Sequence, residues 1–274
     1  MPSHIKTVGV VGTGVIGASW TGLFLAQGLQ VIVSDPGPGA EEHLSKYLED
    51  IWPTMQGLEL APGASLRNYR FVGASMEKYY GEVDFIQENA SERLELKIKL
   101  LGEIDAGARQ DVIIASSSSG IPSSQFITEC RKSPGRVLIG HPFNPPHLMP
   151  LVEVVPHRGS SKEAVTAALE IYRSLGKHPV HIQQETPGFA VNRIQAAVCG
   201  EAYSPVQRGI MSAADAWLND MQTHKFDFTP ANIAIVNDSV QEEVDMYDPI
   251  AVERQRDQLL IKLLKDKKSA SAIM

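Results

Sequence analysis

The sequence predicts an α/β protein, in which an N-terminal, doubly wound, mostly parallel sheet precedes a smaller, all-helical C-terminal domain. In the first two-thirds of the chain, short apolar runs rich in Val and Ile alternate with longer segments of helical character. Such alternation is typical of βαβ units, whose right-handed crossovers place helices on both faces of a sheet. After Pro187 the helical character continues with no further strand-like run.

Eight runs predict the strands, and the longer segments between them predict helices. We place the domain boundary after residue 184, so that residues 1–184 form the sheet domain and 185–274 the helical domain. Residues 217–248 show no clear period and stay unassigned, whereas 250–268 predict a last helix with a basic C-terminal end. The predicted strands are VGVVG, VIVSD, RFVG, VDFIQEN, VIIASS, VLIGH, LVEVV and PVHI.

Charge and composition exclude several functional classes. A net charge of −7, without a stripe of Lys and Arg, argues against nucleic acid as a partner. No run approaches the ~20 apolar residues that span a bilayer, and the N-terminus lacks the pattern of a secretory signal. Cys130 and Cys199 have no metal-binding spacing, so no metal site is predicted. We expect a cytoplasmic protein that does not bind membranes.

A glycine motif follows the first predicted strand, in VGVVGTGVIGASW. Gly12 permits a tight turn, Gly14 lets the backbone approach a pyrophosphate, and Gly17 lets the helix pack on the strand. The motif predicts a Rossmann-type dinucleotide site, with Val15 and Ile16 inside the binding loop. A glycine turn that only packs a sheet, or an FAD-binding protein, is the alternative.

An acid at the end of the second predicted strand indicates which dinucleotide binds. VIVSD ends in Asp35, and no Arg lies in the PGPG segment that follows. A carboxylate at this position accepts the ribose hydroxyls of adenosine and repels a 2′-phosphate. NAD is therefore predicted in preference to NADP.

A histidine and a glutamate lie on neighbouring predicted strands in RVLIGHPFNPPHLMPLVEVVPH. If the strands pair, the Glu153 carboxylate fixes the tautomer of His141 and leaves its other ring nitrogen to act as a general base. A strand-end histidine and an edge glutamate without a catalytic role are the alternative. The position near the strand ends that bind ligands favours catalysis. His147 and His157 are interpreted as surface residues.

Two further segments supply polar groups. ASSSSGIPSS places serines, Ser119 among them, at a strand end, where hydroxyls suit a substrate oxygen. ETPGFAVNRI opens the C-terminal helix with Asn192 and Arg193. Serines are also common loop residues, and Asn192 equally suits a helix start, so periodicity alone does not decide.

In this order the glycine motif, the QEN run, SSSSG, GHPFNPP with LVEVV, and TPGFAVNR resemble the 3-hydroxyacyl-CoA dehydrogenase superfamily over residues 5–215. WPTMQGLELAPGAS and VDFIQENASERLELK are most similar to its branch of L-carnitine dehydrogenase and lambda-crystallin (L-gulonate 3-dehydrogenase). The resemblance implies an NAD-dependent oxidoreductase that interconverts the hydroxyl and ketone at C3 of a small 3-hydroxy acid.

The resemblance also implies roles for individual residues. His141 and Glu153 would be the catalytic dyad, with His141 taking the hydroxyl proton, and Ser119 would contact the substrate. The other implied positions brace the dyad, lie near the substrate and line the cofactor cleft; they are Asn144, Asn192, and Glu88 with Lys97.

The pattern departs from the family beyond residue 217, where a glycine-rich stretch of the helical domain is missing. This shortening affects the substrate pocket and the homodimer interface that the resemblance implies. One alternative is therefore a catalytically impaired NAD-binding protein with a structural or regulatory role. A 3-hydroxyacyl-CoA substrate is another, although only Lys46, Arg67 and Arg70 lie between residues 45 and 72 to meet its phosphates. Gulonate, carnitine and 3-hydroxybutyrate all remain candidate free acids.

Overall fold

The structure is a computed structural model that describes residues 5–211, 257–262 and 265. These form two compact units, the first holding described residues 5–189 and 265 and the second 190–211 and 257–262. The unassigned segment 217–248 lies outside the described residues, as does much of the predicted last helix, although 257–262 and 265 are helical. In the described part of the chain, no helix is both long and apolar enough to cross a membrane.

The first unit is built on one eight-stranded sheet, and each predicted run supplies one strand. The strands are β1 (Thr7–Val11), β2 (Gln30–Ser34), β3 (Tyr69–Phe71), β4 (Phe85–Glu88), β5 (Ile113–Ser116), β6 (Val137–Pro142), β7 (Leu151–Val155) and β8 (His178–His181). Their order across the sheet is β3-β2-β1-β4-β5-β6-β7-β8. All neighbours are parallel except β6 and β7, which confirms the mostly parallel sheet.

Helices connect most of the strands, and α5 (Lys162–Ser174) begins and ends at clear sequence signals. In α5, Ser161 caps the N-terminus by accepting a hydrogen bond from the Ala164 amide at 3.0 Å. Glu163 in its first turn and Arg173 in its last complement the helix dipole. The α-helices are α1 (Val15–Ala26), α2 (Ala40–Gly57), α3 (Leu94–Gly107), α4 (Ser123–Phe126), α5 (Lys162–Ser174) and, in the second unit, α6 (Val191–Gln207).

Apolar side chains cover both faces of the sheet. On one face, Trp20 of α1 stacks on Phe24 with ring centroids 5.5 Å apart and lies 5.6 Å from Tyr172 of α5. On the other face, Leu101 and Ile104 of α3 are fully buried. Such burial on two sides supplies most of the folding free energy and confirms the doubly wound architecture.

A buried polar network crosses the first face between β4 and β6. The Tyr172 hydroxyl donates to Gln87 Oε1 at 2.7 Å. Gln87 Nε2 donates to Ser117 Oγ at 2.9 Å and to the Gly140 carbonyl at 3.3 Å. A buried amide left unpaired costs about 1–3 kcal/mol, so the network fixes β6 at the residue before His141. A Cβ at Gly140 would overlap the Tyr172 hydroxyl.

Replacing Gly140 should therefore disrupt this network. We expect Gly140→Ala to lower the free energy of unfolding by about 2–3 kcal/mol, because Tyr172 must move and lose its bond to Gln87. Urea denaturation followed by circular dichroism measures the change. Gly57→Ala is the matched control, since a Cβ at the end of α2 meets no atom within 4 Å. Equal stability of the two variants would contradict this account.

Candidate active site

The glycine loop lies between β1 and α1, and packing explains two of its three glycines. Gly12 has φ +90°, and a Cβ there would lie 2.8 Å from the Asn89 backbone. A Cβ at Gly17 would overlap the Gly12 carbonyl oxygen, so helix and strand approach at this point. Gly14 differs, because no atom lies within 4 Å of its Cβ position. The loop is therefore closely packed at Gly12 and Gly17 and unobstructed at Gly14.

The N-terminus of α1 has the features of an anion site. Gly14 is its N-cap and supplies no side-chain hydrogen bond, and the first turn holds no acidic residue. Val15 is 58% exposed, and Ile16 is half-buried. Unsatisfied amides and the positive end of the helix dipole are available to an external anion. This arrangement fits a dinucleotide pyrophosphate.

Asp35 follows β2 and is held beside the glycine loop. Its Oδ2 accepts from the Thr13 amide at 2.6 Å and the Thr13 hydroxyl at 2.8 Å, and its Oδ1 accepts from the Gly37 amide at 2.7 Å. Burial alone would raise the pKa of Asp35, but these hydrogen bonds outweigh burial and lower it. A fixed negative charge therefore lies where the sequence predicts the adenosine ribose.

Glu88 and Lys97, predicted to line the cofactor cleft, form a sealed ion pair. Lys97 Nζ lies 2.9 Å from Glu88 Oε1 and 3.0 Å from Oε2, and the two residues are 1% and 0% exposed. Glu88 also accepts a short bond from the Ser116 hydroxyl and one from the Ala90 amide at 2.6 Å. The ion pair thus links the end of β4 to Ser116 at the end of β5 and to the loop at Ala90.

Glu92, which the sequence did not single out, organises residues 117–121, the serine loop. Its Oε1 accepts from the Ser118 hydroxyl at 2.6 Å. The same oxygen accepts from the amides of Ser119, Gly120 and Ile121 at 3.0, 2.9 and 3.2 Å. The acid is visible in IQENASER, but its partners lie 26 to 29 residues further along the chain, so no local pattern signals the contact.

Glu92 remains a carboxylate although it is partly buried. Burial alone would raise its pKa, but hydrogen bonds from Ser118, Gly120 and Ile121 and the nearby charge of Lys97 outweigh that effect. The pKa of Glu92 therefore lies below its usual value. The Lys97 ammonium is 3.7 Å from the second carboxylate oxygen of Glu92. One lysine thus stabilises the acids that support two adjacent loops.

His141 and Glu153 lie directly opposite each other in the antiparallel pairing of β6 with β7. Nδ1 of His141 is 2.8 Å from Oε2 of Glu153, and Glu153 is fully buried. The rings of Phe143 and Phe189 lie 5.0 and 5.6 Å from the imidazole. Nε2 has no hydrogen-bond partner among the described residues, and 7% of the His141 side chain is exposed. The contact favours the Nδ1–H tautomer.

The remaining predicted site residues lie on three separate segments. Ser119 is exposed in the loop that Glu92 holds. Asn144 is exposed in the turn after β6, where its peptide bond to Pro145 is cis. Asn192 is half-buried in the first turn of α6, in the second unit. The first unit thus brings together His141 with Glu153, and Ser119 with Glu92.

The interpretation of His147 and His157 as surface residues is wrong. Both are buried, at 4% and 8% exposure. Nδ1 of His147 and its backbone amide lie 2.8 and 2.9 Å from Ser19 Oγ on α1. The His157 ring contacts the Pro134 carbonyl at 3.0 Å and accepts from the Gly159 amide at 3.0 Å. Ser19 and Pro134, which lie 128 and 23 residues away in the sequence, supply hydrogen-bond partners inside the fold for the two rings.

The charge on Glu92 should stabilise the fold in a pH-dependent way. We expect Glu92→Gln to lower the free energy of unfolding by about 1 kcal/mol at neutral pH, since the carboxylate is partly solvated. Because its pKa is depressed on folding, this contribution is present above the ordinary value of 4.5 and disappears as pH falls through the folded value.

Urea denaturation of both proteins at neutral and acidic pH measures the difference. Glu170→Gln, an exposed acid on α5, is the control and should show no such trend. A difference between the Glu92→Gln variant and the unmodified protein that grows at acidic pH would contradict the assignment.

Comparison with known proteins identifies the family of this chain. Residues 7–186 match the model of the 3-hydroxyacyl-CoA dehydrogenase, NAD binding domain. A 3-hydroxyacyl-CoA dehydrogenase of Gibberella moniliformis is 40% identical over 318 residues, covering 100% of this chain and 98% of that protein. The L-carnitine dehydrogenase of Pseudomonas aeruginosa is 46% identical over 213 residues, covering 78% of this chain and 66% of the relative.

Solved structures agree with the sequence relatives. The (S)-3-hydroxybutyryl-CoA dehydrogenase of Ralstonia eutropha matches with a TM-score of 0.68 and 27% identity, covering 77% of this chain and 75% of that chain. An NAD-dependent 5-formyl-3-hydroxy-2-methylpyridine 4-carboxylic acid 5-dehydrogenase matches with a TM-score of 0.71 and 25% identity, covering 97% and 81%. These findings confirm the predicted Rossmann fold, NAD as cofactor and the superfamily. The chain belongs to the 3-hydroxyacyl-CoA dehydrogenase family, and L-carnitine dehydrogenases are a named branch of its relatives.

Proposed function

We propose that this protein interconverts the hydroxyl and ketone at C3 of a small 3-hydroxy acid, with NAD as cofactor and His141 as general base and acid. The observation that carries the proposal is the 2.8 Å contact between His141 Nδ1 and the fully buried Glu153 carboxylate. A carboxylate on one ring nitrogen fixes the tautomer and leaves the other nitrogen free to accept a proton.

In the oxidation direction, Nε2 of His141 accepts the proton of the substrate hydroxyl. The imidazolium that forms is stabilised by Glu153, whose charge is not screened by water because the side chain is buried. The rings of Phe143 and Phe189 restrict water around the imidazole. In the reverse direction the protonated Nε2 donates to the ketone oxygen.

The proposed cofactor site lies at the carboxyl ends of β1, β2 and β4. The amides at the N-terminus of α1 would hold the pyrophosphate, and Asp35 would accept the ribose hydroxyls of adenosine. NAD supplies, when bound, a two-electron acceptor for the substrate carbon. The Glu88–Lys97 pair would support the loops around the cofactor from beneath, since neither side chain is exposed.

Two polar residues would orient the substrate, and a third would brace the dyad. Ser119 and Asn192 are proposed to hydrogen-bond the reacting oxygen, and Asn144 to brace the dyad from the turn after β6. Glu92 fixes the Ser119 amide at 3.0 Å, so the serine loop is pre-organised before substrate binds. Holding the bound alcohol in the correct orientation increases the rate, in addition to the contribution of proton transfer.

Charge supports a free acid as the substrate. Of the three basic residues between 45 and 72, Arg70 is already paired with Glu82 at 2.8 Å and lies 4.6 Å from the Tyr79 ring. Lys46 and Arg67 are then left to meet the phosphates of CoA. Carnitine is one candidate, since a bacterial relative is named for it. A 3-hydroxyacyl-CoA substrate is the second candidate, because the fungal relative that aligns with the whole chain is named for it.

The alignment with that fungal relative spans 318 residues, against 274 in this chain, so the relative has residues that this chain lacks. A protein that binds NAD without catalysing the reaction therefore remains the third proposal.

We also propose a cytoplasmic homodimer that forms through the C-terminal domain. On α6, Ile194 and Val198 lie one turn apart and are 61% and 62% exposed, which supports a partner on that face.

Substitution of the proposed base tests the mechanism. We expect His141→Gln to lower kcat by about 10²–10⁴-fold with an unchanged Kd for NAD, because the proton acceptor is lost while the glycine loop is intact. NADH absorbance is followed with carnitine, gulonate, 3-hydroxybutyrate and its CoA ester. His157→Gln is the matched control, since the ring of that buried histidine bonds two backbone groups, the Pro134 carbonyl and the Gly159 amide.

Each outcome of this assay identifies a function. Turnover of one compound identifies the substrate class, and normal turnover by His141→Gln refutes the general-base role. If no compound reacts while NAD still raises Tm, the chain is the non-catalytic NAD-binding protein.

Asp35 should determine the choice of dinucleotide. We expect Asp35→Ser to weaken NAD binding about 10–100-fold and to remove most of the discrimination against NADP, because both the ribose contacts and the repulsive charge are lost. Isothermal titration with both dinucleotides measures the effect. Asp50→Ser, at an exposed acid on α2, should bind NAD normally. Unchanged discrimination in Asp35→Ser would exclude the ribose role.

A further inference from the structure

A buried lysine holds the turn between the two dyad strands. Lys177 lies between α5 and β8 and is 8% exposed. Its Nζ donates to the Met149 carbonyl at 3.0 Å and, in a shorter bond, to the Pro146 carbonyl. Both carbonyls belong to residues 143–150, the segment that joins His141 on β6 to Glu153 on β7.

The position of Lys177 is itself well fixed. Gly176, with φ +77°, follows the C-terminal end of α5, and the Lys177 amide donates to the Tyr172 carbonyl at 3.0 Å. The next amide, of His178, donates to the Pro150 carbonyl at 2.7 Å. The lysine therefore reaches the turn from a rigid helix end, at the point where the turn enters β7.

No carboxylate pairs with Lys177 in the described part of the chain. The buried ion pairs there are Glu88–Lys97 and Asp105–Arg136. Burial lowers the pKa of Lys177 to about 7. A buried amine without a counter-ion costs free energy that a methionine of similar length would not. In return, the amine makes hydrogen bonds to two backbone carbonyls. A neutral amine can still make both, because it has two N–H donors.

A second anchor holds the same turn from α1. His147, in the middle of the turn, contacts the buried Ser19 hydroxyl through both its ring and its amide. The neighbouring Trp20 ring lies 5.9 Å from the Lys177 ammonium. The turn is thus held between the helix that follows the glycine loop and the start of β8.

We propose that Lys177 is a positioning residue for the His141–Glu153 dyad, acting by capping the Pro146 and Met149 carbonyls. The turn sets which residue of β7 lies opposite His141. A shift of one residue would move Glu153 to the other face of the sheet. The proposal rests on the dyad function proposed above.

The test combines a structural and a kinetic readout on the full chain. The Nδ1–H proton of His141 gives a downfield NMR resonance when Glu153 holds it, and its loss in His141→Gln assigns it. We expect Lys177→Met to broaden or lose this resonance and to lower kcat about 10–100-fold, with the Kd for NAD unchanged. Lys177→Arg, which keeps the donors, should restore part of both.

Lys132→Met is the matched control. Lys132 also caps two backbone carbonyls, of Ala106 and Ala108 at 3.2 and 2.8 Å, but these lie at the end of α3 and not in the segment that joins β6 to β7. It should lose stability at most, with the resonance and kcat retained. If Lys177→Met keeps both the resonance and kcat, or if the control loses them equally, the positioning role is refuted.

Two further results separate the possible failures. Should Lys177→Met not fold, Lys177→Gln decides: its shorter side chain cannot span both carbonyls, so a normal resonance and kcat would overturn the proposal. If the unmodified protein turns over no substrate while the resonance still depends on Lys177, the positioning role stands and the dehydrogenase proposal fails.

Discussion

The pairing of β6 with β7 is the constraint on which the rest of the site depends. It is the one antiparallel pairing of the sheet, and it places His141 opposite Glu153. Because side chains alternate between faces, only an in-register pair puts both groups on the same side. The pairing also accounts for a fully buried carboxylate, which would be costly without the imidazole. The network at Gly140 and the anchored turn hold this register from its two ends.

Parallel strands explain how distant motifs meet. β1, β2, β4, β5 and β6 run the same way, so the residues at their carboxyl ends share one edge of the sheet. That edge carries Gly12, Asp35, Glu88, Ser119 and His141, which are spread over more than a hundred residues of sequence. In open α/β sheets ligands bind at this edge, where the strand order reverses. The proposed cofactor site and the His141–Glu153 pair thus share one edge of a single layer.

Local patterns were sufficient to predict the eight strands, the glycine loop and the pairing of His141 with Glu153, since each depends on residues close in sequence. They were insufficient wherever the hydrogen-bond partners of a polar side chain are distant in the sequence. His147 looked exposed because its partner Ser19 is 128 residues distant. Glu92 was missed for the same reason. Burial of a polar group depends on tertiary partners, which neither composition nor period records.

The Glu92 contacts constrain how this chain can be altered. A single carboxylate oxygen gathers four donors from the serine loop, and its second oxygen faces the lysine that also neutralises Glu88. The serine loop is therefore not a separable module. A graft of that loop onto another scaffold must include Glu92, which lies more than two dozen residues upstream in the sequence. It must also include Lys97, five residues after Glu92.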